Sequence, residues 1–232
     1  FSYSGERKTG FLAPLYSTNG RTGIDVSVPF YWNIAPNMDA TVKARAMSKR
    51  GIMINNEFRY KTNRMYGTYI FDVLPSDKVT EQNRNRIELK HTHSIGKGWN
   101  FGFNYNKVSD DLFFRDLGKG LKVTSRTQLL QQAKLAYFDK FGTGIIRFSA
   151  QAQQFQTVQD PARPAGAPYK KLPQLLLRAT QRDVLGVDLD LKASYTEFAH
   201  VDEKRDPNKV AGKRYTFFPN ISKPIENSFG YI

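Results

Sequence analysis

Trp99-Asn100-Phe101-Gly102-Phe103-Asn104-Tyr105-Asn106 sets an aromatic ring against a small residue at every step. Successive side chains of an extended chain point to opposite sides, so this stretch predicts a strand with one oily and one watery face. The same period of two runs through Ile24, Val26, Val28, Phe30 and Trp32 against Asp25, Ser27, Pro29 and Tyr31. It returns in Val187, Leu189, Leu191, Ala193 and Tyr195 against Asp188, Asp190, Lys192, Ser194 and Thr196. Each run is about nine residues long, the length a tilted strand needs to cross a bilayer.

Weaker copies surround these runs. Val42, Ala44 and Ala46 alternate with Lys43 and Arg45, and Ile146, Phe148, Ala150 and Ala152 alternate with Arg147, Ser149, Gln151 and Gln153. Further strands are expected over 51–60, 66–74, 86–95, 124–138, 172–180 and 214–221, with a first one near 11–16. Residues 129–135 would pass for a short helix in isolation, but their flanks and place in the series argue for a strand. The count is about twelve.

The connections fall into two alternating sets. Short ones are expected at 34–38, 61–65, 96–98, 139–143 and 181–185. Longer, more polar ones are expected at 75–85, 109–123, 157–171 and 202–213, with 17–22 and 48–50 as brief exceptions. Tight turns at one end and long loops at the other are the layout of an outer-membrane barrel. The expected fold class is therefore all-β: an antiparallel up-and-down meander of about twelve strands, an incomplete segment of a large transmembrane β-barrel. Its polar positions would line a lumen and its apolar positions would meet lipid.

Composition narrows the function. Thirty-five Lys and Arg against 21 Asp and Glu give a net charge of +14, which calls for an anionic partner. Nucleic acid would fit the charge, but its readers interleave aromatic and basic residues on one face, and here the two types separate onto opposite faces. No nucleic-acid partner is expected. No apolar run approaches the roughly 20 residues of a helical span, and Phe1-Ser2-Tyr3-Ser4 lacks the basic and apolar regions of a secretory leader. The chain reads as a mature protein or an excised piece. There is no cysteine, hence no disulfide or thiolate metal site in this sequence.

Several stretches resemble the LptD family, whose members form the barrel of the lipopolysaccharide transport machine. The likeness is carried by Arg7-Lys8-Thr9-Gly10-Phe11-Leu12 and by Pro29-Phe30-Tyr31-Trp32-Asn33-Ile34-Ala35-Pro36-Asn37-Met38-Asp39-Ala40-Thr41. Met47-Ser48-Lys49-Arg50-Gly51, Asn56-Glu57-Phe58-Arg59-Tyr60, Leu74-Pro75-Ser76-Asp77-Lys78, Lys107-Val108-Ser109-Asp110 and Leu172-Pro173-Gln174-Leu175 continue it. After about Thr180 only the general pattern matches. The resemblance implies that residues 1–10 link to a preceding periplasmic jelly-roll domain, and that 11–232 form the N-terminal portion of the barrel. It implies an LptE lipoprotein plug, an LptA periplasmic bridge, lipopolysaccharide as cargo, outer-membrane lipid as surroundings, and a lateral exit seam at the first strands.

Pro14 and Pro29 fall in the first two expected strands. Proline has no N–H to give a ladder and is confined to edges or bulges. The resemblance links prolines here to opening of the seam, and the plainer reading is ordinary edge-strand proline. Lys43, Arg45, Arg59, Lys90, Arg126, Lys134, Arg147, Arg178 and Lys192 hold polar-face positions. Lipopolysaccharide phosphates would favour such a wall, and the plainer reading is a wet lumen balanced by Glu57, Asp72, Glu88, Asp188 and Asp190.

His91 and His93 share a strand face without a third ligand at metal spacing, so an aromatic place near the membrane interface is expected rather than a metal site. Asp188 and Asp190 project to one side, but no nucleophile or pocket signature accompanies them. No cofactor and no catalysis are expected. The rival functions are a general diffusion porin, a soluble nucleic-acid-binding β-protein and an outer-membrane lipase.

Overall fold

A computed structural model describes residues 7–118, 126–158, 166–200, 210–223, 226–227 and 230–231. It is built almost wholly of strands: β1 (Gly10–Phe11), β2 (Leu15–Asn19), β3 (Gly23–Ala35), β4 (Met38–Met47), β5 (Gly51–Lys61), β6 (Met65–Leu74) and β7 (Arg84–Gly96). Then come β8 (Trp99–Val108), a short helix α1 (Phe113–Leu117), β9 (Gln128–Phe141), β10 (Gly144–Thr157), β11 (Lys170–Val184), β12 (Val187–Ala199) and β13 (Gly212–Ser222). From β3 to β13 each strand pairs with its neighbour in sequence, and β1 and β2 both pair with β3, giving one 13-stranded sheet. The expected count of about twelve differs because the first strand is broken in two.

Residues 129–135 are strand, as their neighbours demanded. The last two strands, β14 (Glu226–Asn227) and β15 (Gly230–Tyr231), pair with each other in a separate two-stranded sheet. Residues 1–6, 119–125, 159–165 and 201–209 lie outside the described residues, as do Phe229, Ile232 and the first residues of the strand expected from 124.

The connections alternate as anticipated. Turns at 36–37, 62–64, 97–98, 142–143 and 185–186 interleave with connections at 20–22, 48–50, 75–83, 109–127, 158–169 and 200–211. Two of the turns, Lys97-Gly98 and Leu185-Gly186, have positive φ at both central residues (49° and 80°, 53° and 80°). That backbone twist matches the flanking strands of a two-residue hairpin. Gly98 is also fixed by crowding, since a Cβ there would lie 2.1 Å from the carbonyl oxygen of Phe138.

The chain divides into two compact units. The first holds Phe1–Thr92, Phe103–Gln131 and Phe155–Ala167, and the second His93–Gly102, Gln132–Gln154 and Pro168–Ile232.

In the first unit the cross-strand register sorts every side chain. Val26 faces Ala46, Val28 faces Ala44, Phe30 faces Val42 and Trp32 faces Ala40 on one side. Ser27 faces Arg45, Pro29 faces Lys43 and Asn33 faces Asp39 on the other. The apolar side is open: Ile24 is 53% exposed, Trp32 52% and Ile52 62%. The polar side is the covered one, with Asp25 and Ser27 at 0% and Arg45 at 4%. A water-soluble sandwich would show the reverse.

What covers the polar side is α1, whose Phe113, Phe114 and Leu117 are buried with Met47, Met53, Leu74, Val108, Leu129 and Val158. This is the core of the first unit. In the second unit the same alternation places Phe148, Leu177 and Ala193 in one cross-strand row and Arg147, Arg178 and Lys192 in another.

Candidate functional site

The edge of the sheet carries the first candidate. Phe11 pairs with Phe30 and Leu15 with Ser27, so Leu12, Ala13 and Pro14 stand opposite only Val28 and Pro29. One extra residue on one strand is a β-bulge, which interrupts the ladder. The Leu12 N–H donates to the Pro29 carbonyl at 2.9 Å. In an antiparallel ladder a residue aims its N–H and its C=O at the same neighbour, and a hydrogen-bonded pair exchanges both bonds. Pro29 cannot return the bond. Its missing donor therefore faces the edge strand, while its pairing partner on the other side is Lys43. Both prolines thus weaken the same first ladder, Pro14 from within the bulge and Pro29 from across it.

The second feature is a buried charge network that seats α1, and the sequence reading missed it. The Arg45 guanidinium donates to Asp25 at 2.7 Å and to the Leu117 carbonyl at 2.7 Å. Arg84, 2% exposed, reaches Asp77 at 3.0 Å, Asp110 at 2.6 Å and Asp116 at 3.2 Å. Arg50 adds contacts to Asp77 at 2.7 Å and Asp116 at 3.2 Å. Arg84 also lies 5.7 Å above the Phe113 ring, and Arg126 lies 5.3 Å above Phe114.

Burial pushes the Asp77 carboxyl up, but the Val79 N–H, Arg84 and Arg50 outweigh it and hold the group below its ordinary value. Burial likewise raises Asp110, while Arg84, Ser109 and the Leu112 N–H bring it below. A depressed carboxyl stabilises the fold fully above its unfolded pKa, about 3.9 for aspartate, and loses that contribution as pH falls towards the folded value. The midpoint of urea unfolding of the refolded full-length protein is therefore expected to hold steady from pH 7 down to about pH 4 and to drop below it. In Asp77→Asn the drop is expected to be shallower, and an equal drop in that variant would remove Asp77 from the account.

The basic candidates separate by unit. In the first, Arg45 is buried and committed to Asp25, Arg59 donates to Asp39 at 2.7 Å, and Arg126 is paired with Glu88. Lys43 lines a cleft with Asp72, Arg86, Phe113 and Phe114. Lys90 is exposed.

In the second unit the cations stand together. Arg147 is directly opposite Arg178 and Arg178 directly opposite Lys192, a row across three strands. Lys134 lines the same cleft, which measures about 420 Å³. Nearer the other end of these strands a chain of amides crosses the sheet. Gln132 donates to Gln151 at 3.2 Å, Gln151 to Gln174 at 2.5 Å, and Gln174 to Thr196 at 3.1 Å.

The remaining candidates hold local roles. His91 Nδ1 is hydrogen-bonded to the Tyr60 hydroxyl, which also meets Tyr69 at 3.1 Å, and Phe58 stacks on Tyr60. This aromatic cluster sits on the apolar side, close to the turn at 62–64. Asp188 accepts from Arg182 at 2.8 Å and from the Asp183 N–H at 3.0 Å, tying the hairpin of β11 and β12.

A protein-family model described as LPS transport system D, LptD, matches residues 82–232. The LPS-assembly protein LptD of Nitrosomonas eutropha is 49% identical over 100% of this chain, which covers 31% of that protein. The LPS-assembly proteins LptD of Nitrosospira multiformis and of an Azoarcus species are 48% and 36% identical over 100% of the chain, covering 25% and 28% of those proteins. The chain thus spans about a third or less of the length of these curated relatives.

Proposed function

Because the chain belongs to the LptD family, we propose that it forms part of the wall of an outer-membrane β-barrel that passes lipopolysaccharide to the outer leaflet. The observation that carries this reading is the broken first ladder, where Pro29 withholds a donor opposite the bulge that contains Pro14. In hydrocarbon no water replaces a missing backbone bond, so a ladder short of bonds is the place for a barrel to part. The apolar rows of β3 to β5 meet lipid in this scheme. Among the polar-face cations, Lys43, Lys90, Lys134, Arg147, Arg178 and Lys192 face the cargo, while Arg45, Arg59 and Arg126 hold the wall together.

The family match supports a reading with two protein partners. An LptE plug would fill the barrel, and an LptA bridge would deliver lipopolysaccharide through a periplasmic domain joined to residues 1–10. Transport on this side is passive, a hydrated route for sugars and phosphates beside a lipid-facing seam for acyl chains. A general diffusion porin would share the meander, but the family favours lipopolysaccharide assembly over it.

Pro14→Ala and Pro29→Ala together test the seam in the full-length protein. Each restored backbone bond is worth about 1 kcal/mol, and 1.4 kcal/mol is tenfold in an equilibrium. Opening, and with it delivery of lipopolysaccharide to the cell surface, is expected to fall by on the order of tenfold. Undiminished delivery by a folded double variant would remove the gating role.

A further inference from the structure

The row Arg147–Arg178–Lys192 has no internal reason to exist. Like charges directly opposite each other on neighbouring strands repel, and the register puts three of them in line. Elsewhere the protein answers its strand cations with carboxylates, as Asp25 answers Arg45 and Asp39 answers Arg59. Among the described residues no carboxylate forms a salt bridge with Lys134, Arg147, Arg178 or Lys192. The nearest acidic groups along β12, Asp188 and Asp190, are drawn to Arg182 at 2.8 Å and 3.5 Å.

The surroundings describe the missing partner. Arg147 lies 5.3 Å above the Phe138 ring, and Phe218 is the residue registered opposite Lys192. An aromatic therefore stands at each end of the row. Lys134, Ala136, Leu176, Ser194 and Thr216 complete the cleft. Guanidinium groups offer forked donors that match phosphate oxygens, and an ammonium adds a compact charge. Serine and threonine hydroxyls and flat apolar flanks suit a sugar ring.

We infer that Arg147, Arg178 and Lys192, aligned across β10, β11 and β12 with Lys134 beside them, form a subsite for a phosphorylated sugar headgroup. This rests on the reading of the cargo as a phosphorylated glycolipid, and it names where that cargo's phosphate halts. Lys192 and Arg178 hold the phosphate, and Arg147, steadied by Phe138, closes the near side.

The test uses the full-length protein purified in detergent, with three soluble probes: a phosphorylated glucosamine disaccharide without acyl chains, its unphosphorylated counterpart, and inorganic phosphate. Variants are Arg147→Gln, Arg178→Gln, Lys192→Gln, the triple combination, and Lys97→Gln as a turn cation outside the row. The phosphorylated disaccharide is expected to bind the parent protein with a salt-sensitive affinity that falls at least tenfold in the triple variant and stays unchanged in Lys97→Gln. The triple variant is expected to resist heat at least as well as the parent, because a repulsive row has gone, so lost binding would not mean lost folding. Equal affinity in parent and triple variant would overturn the subsite while leaving the family's transport role intact. Binding of inorganic phosphate with no gain from the sugar would overturn the glycolipid as its occupant.

Discussion

Arg84→Ala is expected to cost the protein about 3–5 kcal/mol, the usual penalty for removing one partner from a buried ion pair. Its side chain is 2% exposed and touches Asp77, Asp110 and Asp116. Without it, Asp77 keeps Arg50, Asp116 keeps Arg50 and Arg115, and Asp110 loses the cation it was paired with. Asp110 keeps just the Ser109 hydroxyl at 2.7 Å and the Leu112 N–H at 3.1 Å. Phe113 loses the cation above its ring. The anchorage of α1 should therefore fail before the strands do. In the refolded full-length protein the urea midpoint should fall, and proteolytic cleavage within 109–118 should rise. Arg84→Lys should recover only part of the loss, because one ammonium cannot span carboxylates that a planar fork reaches. A variant that unfolds at the parent's midpoint would show that the network is not what seats the helix.

Val28→Arg is expected to destabilise the barrel by about 2–4 kcal/mol, the cost of an arginine on the lipid side near the middle of a transmembrane strand. Val28 lies mid-way along β3 on the apolar side, opposite Ala44, and is 37% exposed. A cation there must leave water or drag its head towards the interface. Thr41→Lys is the matched control, since Thr41 lies on the polar side opposite Glu57 and the new charge gains a neighbour of opposite sign. Folding yield into lipid vesicles should drop sharply for the first and little for the second. Equal behaviour of the two would mean that the exposed apolar rows do not meet hydrocarbon.

Much of this architecture was readable in advance because a strand writes its two faces into alternate letters. Val26, Val28, Phe30 and Trp32 came out on one side, as their spacing required. The long connections also fell in the expected alternation, since hairpin turns need few residues and specific backbone angles. What stayed hidden was the role of the loops. Arg50, Arg84, Asp77, Asp110 and Asp116 are scattered over three connections and a strand end, with no spacing that marks them as neighbours. The pair Phe113-Phe114, flanked by Asp110, Asp111, Arg115 and Asp116, was the one available signal. Two aromatics in a polar loop need somewhere dry to go. Arg45 illustrates the same limit: alternation put it on the polar face, but only the fold showed that Asp25 had already claimed its guanidinium. By contrast, the alignment of Arg147, Arg178 and Lys192 depends on register, which single strands do not disclose.

The bulge at Leu12-Ala13-Pro14 has a consequence for how the first strand must be read. Before it, odd positions such as Phe11 share the oily side with Phe30, and after it even positions such as Tyr16 share that side with Val26. The two segments keep opposite parities, and the additional residue is the hyphen that reconciles them. Losing a single amino acid from this spot would bring both segments to one parity, so that the two would run on as one unbroken strand with the oily side unchanged.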